Sequence, residues 1–397
     1  MSANADLWSC NTPAAFWQCD VPAEPEDWAA AAEQARHALD LPPWWGDLRA
    51  LPALTLGEGQ FGADHWQLTP ARRLYYCFKP LLPRPLTRML RRRTHAHARR
   101  THRLGWPVEP RYARFLWEIM RQLLLLKGLS GAAYRRFWPQ GKRFALVLTH
   151  DVETAQGLAA VRPVLDLEER YGFRSSFNLV PERYPLDPAI IDEIRSRGFE
   201  IGVHGLKHDG RLFASRQVFA RRAVRINAYL KQLGASGFRS PLMLRHPVWL
   251  QDLEIVYDLS FFDTDPFEPQ PGGTMSIWPF LLGRFVELPY TLAQDYTLSA
   301  VLSHTTPQVW LEKVAFIRQY HGMALINTHP DYLRHAGVAR LYTQFLEALC
   351  QYDDCWHALP LDVARWWRER TLPRPSVKGD PDNLGWLAVD GDTLALS

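Results

Sequence analysis

Cysteine is scarce in this chain and follows no pattern: there are five (Cys10, Cys19, Cys77, Cys350 and Cys355), an odd number, with no Cys-x-x-Cys pair. This argues against a disulfide-built scaffold and for a reducing, cytoplasmic setting. No apolar run is long enough to span a bilayer, and Met1 to Asp6 contains neither the basic nor the apolar stretch of an export signal. The expectation is a chain that neither crosses a membrane nor leaves by an ordinary signal. Excess charge is also missing. A net +4 over 397 residues specifies no polyanionic partner, and no nucleic acid is expected.

With 47% hydrophobic and 22% charged residues, the composition is that of an ordinary globular protein. Sixteen tryptophans and 30 prolines hint at sugar-facing clefts and irregular loops. A helix is predicted from Glu26 to Leu39, opened by acidic residues and closed before Pro42-Pro43. From 84 to 103 the chain is basic and free of acids (Arg84, Arg88, Arg91, Arg92, Arg93, Arg99, Arg100, Arg103, with His95, His97 and His102). Two readings stay open: a peripheral contact with anionic lipid or a diphosphate-linked glycan, or a solvated helical face. Tyr112 to Lys127 carries apolar residues at helical spacing and reads as a helix docked on the main domain.

From about Gly141, short apolar strands and amphipathic helices alternate as far as Arg370. Such alternation predicts a βα-repeat, either a barrel or a doubly wound sheet. Residues 1–140 then form an N-terminal, mostly helical accessory region. Residues 371–397, rich in proline, glycine and aspartate, read as a C-terminal tail.

The repeat opens with Phe144-Ala145-Leu146-Val147-Leu148, a fully buried strand by pattern, followed by Thr149-His150-Asp151-Val152-Glu153. The carboxyl ends of parallel strands are where α/β proteins place their sites, so His150, Asp151 and Glu153 are candidates. His204 and His208 lie four apart just after another strand, and would share one face if a helical turn began there. Arg239-Ser240-Pro241 and Asn327-Thr328-His329-Pro330 follow two further strands.

In this order the motifs resemble the polysaccharide deacetylase family, also called carbohydrate esterase family 4. The resemblance covers residues 141–370. It implies a distorted (β/α) barrel of about seven strands and a divalent metal, usually zinc, serving removal of acetyl groups from glycans. By resemblance Asp151 is the general base, Glu153, His204 and His208 are the metal ligands, and Arg239 pairs with Asp151. The backbone N–H of Leu242 forms part of the oxyanion hole, and His329 protonates the leaving amine. The roles of Asp151 and Glu153 can be exchanged at this level. Two departures stand out: Val152 splits the family's adjacent acids, and the fourth motif, an Asp near a Trp, has no clean match among Asp263, Asp265 and Asp295. His150 reads as a core-edge histidine hydrogen-bonded to backbone.

The expected activity is hydrolysis of a non-peptide carbon–nitrogen bond in an N-acetylated sugar, in surface-polysaccharide synthesis. Two alternatives are an amidohydrolase of the same barrel acting on a small amide, and a non-catalytic glycan- or membrane-binding relative.

Overall fold

The computed structural model describes residues 7–41, 47–62, 65–66, 97–372 and 383–397. Most of the basic run, from 84 to 96, lies outside the described residues. The strands, in chain order, are β1 (Gly131–Arg135), β2 (Phe144–Val152), β3 (Ser175–Leu179), β4 (Glu200–His204), β5 (Gly237–Arg239) and β6 (Tyr257–Asp258). They continue with β7 (Phe280–Leu282), β8 (Phe285–Glu287), β9 (Met323–Thr328), β10 (Cys355–His357), β11 (Leu384–Asp390) and β12 (Thr393–Leu396).

Every residue of β2 is buried, as a continuous apolar run in a parallel sheet requires. β2 pairs in parallel with β9 through Ala145–His150 and with β3 through Leu148–Val152. The sheet continues through β4, β5, β6 and β8, all parallel neighbours. A parallel bridge from Leu292 to Ile326 on β9 then closes the ring. The path β9-β2-β3-β4-β5-β6-β8 is thus a barrel of seven strands, with β7 antiparallel at one edge and β10 beside the start of β2. It is distorted because β5, β6 and β8 are only two or three residues long.

The amino-terminal region is helical, as expected, and packs both on itself and on the barrel. The helix Pro25–Leu39 starts with a proline and a Glu24/Asp27 capping box, and buries the small residues Ala31, Ala32 and Ala35. Alanines on that face let the helix Arg111–Leu126 approach closely, and Lys127 Nζ reaches Asp27 at 2.9 Å. On the far side Trp117 stacks on Trp278, with centroids 5.7 Å apart. The tryptophan count therefore reflects packing more than sugar contact: Trp17, Trp138, Trp278 and Trp310 are all fully buried. No helix among the described residues is long and apolar enough to cross a membrane.

One expectation needs correcting. Much of the stretch read as a tail is structured: β11 and β12 form a hairpin, and β11 pairs antiparallel with β1 along Gly131–Arg135. The turn between the two strands is Asp390-Gly391-Asp392, where Gly391 takes φ +57°.

A buried ion pair ties the amino-terminal region to the barrel rim. Arg245 Nη2 lies 2.5 Å and Nε 2.9 Å from the Glu58 carboxylate, and both side chains are fully buried. Burial alone would raise the Glu58 pKa, but Arg245 and His65 outweigh it and bring it down to about 2. A carboxylate whose pKa is lowered by folding adds stability above the ordinary glutamate value, and that contribution fades as pH falls towards 2. Arg245→Ala leaves the Glu58 charge buried and unpaired, and is expected to cost about 3–5 kcal/mol. Urea unfolding at neutral pH and at pH 3 checks both: the mutant's deficit is largest at neutral pH and shrinks in acid.

Candidate active site

The strand ends of the barrel bring the motif residues together. Register places Asp151 opposite Asn178, His204 opposite Arg239, and Thr149 opposite Asn327. These pairings converge on Asp151, which is nearly fully buried. Its Oδ1 accepts from Asn178 Nδ2 and Arg239 Nη1, each at 3.0 Å, and its Oδ2 from Asn327 Nδ2 at 2.8 Å. Arg239 is itself held, Nη1 donating to Thr149 Oγ1 (2.9 Å) and Asn327 Oδ1 (2.7 Å) and Nε to the Leu259 carbonyl (3.1 Å). Burial would raise the Asp151 pKa, but Arg239, aided by His204 and His329, keeps it below the usual carboxylate range.

Glu153, His204 and His208 form a second cluster, their ligand atoms all within 4.8 Å of one another. His204 Nδ1 lies 3.1 Å from the Arg239 carbonyl. Donation of its proton there leaves the Nε2 lone pair free. The Nε2 atoms of His204 and His208 are 3.8 and 2.8 Å from Glu153 Oε1, yet both are buried without a hydrogen-bond partner. Two orphaned imidazole nitrogens facing one carboxylate fit a divalent cation. Burial works against charge on Glu153, but the two histidines hold its pKa well below the ordinary value.

The sequence offered a helical turn as the means of aligning the two histidines. The structure uses a loop: Gly205 has φ +62° and His208 φ +51°. A Cβ on Gly205 would sit 2.3 Å from Pro241 Cγ, so only glycine lets the His204 loop pass against the Arg-Ser-Pro turn. That turn continues through Leu242, half-buried at φ +59° and ψ +19°. Two consecutive left-handed residues, Leu242 and Met243, are a costly backbone state that tends to mark functional turns.

His329 lies just beyond β9, its Nε2 3.7 Å from Glu153 Oε1. Its Nδ1 is 2.8 Å from Asp295 Oδ1, and its backbone N–H donates to Asp295 Oδ2, also at 2.8 Å. Burial would lower its pKa, but the Asp295 charge and hydrogen bond, with Glu153 and Asp151 beyond, raise it to about 10. Asp295, one of three aspartates left unresolved by the motif comparison, is thus the one that meets the site. Asp263 is instead paired with Lys313 at 2.5 Å, and Asp265 accepts from Tyr290.

Sequence reasoning also passed over Asn178 and Asn327 as partners of Asp151. Asn327 stood in the motif itself, while Asn178 is revealed only by its register with Asp151. A Cβ at Gly202 would fall 2.1 Å from Asn178 Oδ1, so the glycine in β4 makes room for that side chain. His150 is buried, as expected of a core-edge histidine, but its partners are side chains: Glu168 Oε1 and Thr328 Oγ1, each at 2.7 Å. Val152, which separates the two acids, is fully buried, and its carbonyl accepts from Tyr184 Oη.

No family model matches the chain, and no curated protein sequence does. Several solved structures are similar to it. One is a probable polysaccharide deacetylase from Pseudomonas aeruginosa PAO1, 17% identical with a TM-score of 0.49, covering 60% of this chain and 96% of that one. PuuE allantoinase is 14% identical with a TM-score of 0.47, covering 59% and 93%. The peptidoglycan deacetylase PdaC from Bacillus subtilis is 12% identical with a TM-score of 0.40, covering 59% and 95%. The chain is similar to polysaccharide deacetylases, the family its motifs resemble.

Proposed function

We propose that the protein is a metal-dependent hydrolase that removes the acetyl group from an N-acetylated sugar. The observation that carries this is the meeting of an unsatisfied His-His-Glu donor set with an ionised, fully oriented Asp151. Glu153, His204 and His208 would hold a divalent cation, zinc by resemblance; it supplies Lewis-acid polarisation of the acetyl carbonyl and acidifies water. Asp151, the general base, takes the proton as water adds to the carbonyl carbon. The Leu242 N–H donates to the carbonyl oxygen as its charge grows. His329, kept protonated by Asp295, gives its proton to the sugar nitrogen as the C–N bond breaks. Acetate release from N-acetylhexosamine oligosaccharides tests the assignment. A protein that carries metal but releases none would refute it.

The acid and base set opposite pH limits. Asp151 must be ionised and His329 protonated, so kcat/KM is bell-shaped, with an alkaline limb that belongs to His329. Because Asp295 raises the His329 pKa, Asp295→Asn should move that limb to lower pH. The Asp295 contact is local to the pair, so this holds with a cation on Glu153. His329→Ala should slow amide hydrolysis far more than hydrolysis of an activated ester, whose leaving group needs no proton. An unmoved limb in Asp295→Asn, or equal losses on amide and ester, would count against the pairing.

The same reading gives the basic segment 84–103 a peripheral contact with anionic lipid or a diphosphate-linked substrate, at about 1 kcal/mol per arginine near such a surface. Sedimentation with anionic vesicles should show binding that weakens with salt and with neutralisation of Arg91, Arg92 and Arg93. Absence of binding at low salt would leave a solvated face.

A further inference from the structure

A chain of polar side chains leads from Asp151 to the Glu268 carboxyl group. Asn327 Nδ2, which donates to Asp151, also lies 3.4 Å from Gln294 Oε1, and Gln294 Nε2 donates to Glu268 Oε1 at 2.5 Å. Tyr290 Oη lies 2.8 Å from the same Oε1 and 2.8 Å from Asp265 Oδ2, so its single proton is shared between the two carboxyl groups. Glu268 Oε1 is thus held by Gln294 and faces the Tyr290 hydroxyl, and among the described residues Oε2 accepts no hydrogen bond. Glu268 and Gln294 are only half-buried, whereas Asn327, Tyr290 and Asp265 are buried. The two side chains thus stand where the polar interior of the barrel meets solvent, Gln294 two and Glu268 three hydrogen-bonded steps from the base.

Glu268 sits in the loop from Asp265 to Gly272, whose ends are joined by a backbone bridge. The amino-terminal region clamps this loop. Glu58 Oε1 accepts from the Gly273 N–H at 2.6 Å, Gln270 donates to the His65 carbonyl, and Trp106 sets its edge against Phe267 with centroids 5.1 Å apart. A half-exposed carboxyl held by so many contacts is preorganised, and preorganised polar groups beside a reacting centre confer selectivity at small entropic cost.

We propose that Glu268, oriented by Gln294 and Tyr290, is a specificity-determining residue that hydrogen-bonds a hydroxyl of the sugar whose acetyl group lies at Asp151. The amino-terminal region then acts by fixing the loop that carries it. This rests on the deacetylase reading, and the test separates the two. The variants are Glu268→Met, which removes both oxygens at similar volume while Tyr290 keeps Asp265, and Glu268→Gln, which retains one oxygen. Each is assayed with the N-acetylglucosamine tetramer and with 4-nitrophenyl acetate, which has no sugar.

The ratio of kcat/KM for the tetramer to that for the ester should fall about tenfold in Glu268→Met, the worth of one substrate hydrogen bond, chiefly through KM. Glu268→Gln should recover part of it. An unchanged ratio, equal losses on both substrates, or no recovery with glutamine would overturn the role of Glu268. Wild-type hydrolysis of the ester without the tetramer would overturn it too, because the subsite would not recognise the sugar. Wild type inactive on both substrates would instead refute the deacetylase reading itself.

Discussion

Replacing His204 and His208 together by alanine should abolish stoichiometric metal binding and bring amide hydrolysis to background while the barrel stays folded. Their Nε2 atoms make no hydrogen bond to the rest of the barrel and face only Glu153, which is partly exposed and can take water or a proton in their place. Of the three candidate ligands only Glu153 would remain, and one carboxylate does not hold a transition-metal ion against water. The hydrogen bond lost from His204 Nδ1 to the Arg239 carbonyl accounts for about 1 kcal/mol, and the contacts with Glu153 are lost as well. Elemental analysis, with unfolding measured in parallel, reads both. Retention of full metal content would remove these residues from the site.

Asp151 and Glu153 should separate cleanly. Asp151→Asn is expected to lower turnover by about a hundredfold or more, because the base can no longer take a proton, while metal content is retained. Glu153→Gln should weaken metal binding, since a neutral amide replaces the one anionic donor. The asymmetry follows from the contacts: Asp151 already accepts three hydrogen bonds, whereas Glu153 faces the unpartnered nitrogens. Metal loss in Asp151→Asn with retention in Glu153→Gln would exchange the roles.

Local pattern carried the barrel because its strands are buried on both faces: β2 and β9 read as unbroken apolar runs, and the helices between them keep their period. It brought the candidate residues into view because parallel strands deliver side chains at their carboxyl ends: Asp151, His204 and Arg239 lie at the ends of recognisable strands and His329 just beyond one. What it could not carry depends on register and on contacts distant in sequence. Asn178 matters only because β3 places it opposite Asp151, and Asp295 only because the segment after Leu292 closes the ring beside β9. The spacing of His204 and His208 suggested a helix, but the left-handed turn that aligns them is imposed by Gly205 passing under Pro241. The hairpin β11-β12 did leave a signal, the Asp390-Gly391-Asp392 turn between apolar stretches, which the surrounding composition masked. The Glu58–Arg245 pair, which joins residues 187 apart, leaves no local trace.

The central claim, that the Glu153, His204 and His208 set holds a metal serving amide hydrolysis, is tested most directly by metal reconstitution. Chelated protein is titrated with zinc while acetate release from an N-acetylhexosamine oligosaccharide is followed. The account predicts no activity in the metal-free protein and a linear rise that saturates at one equivalent per chain. Full activity before any zinc is added, with metal shown to be absent by elemental analysis, would contradict it.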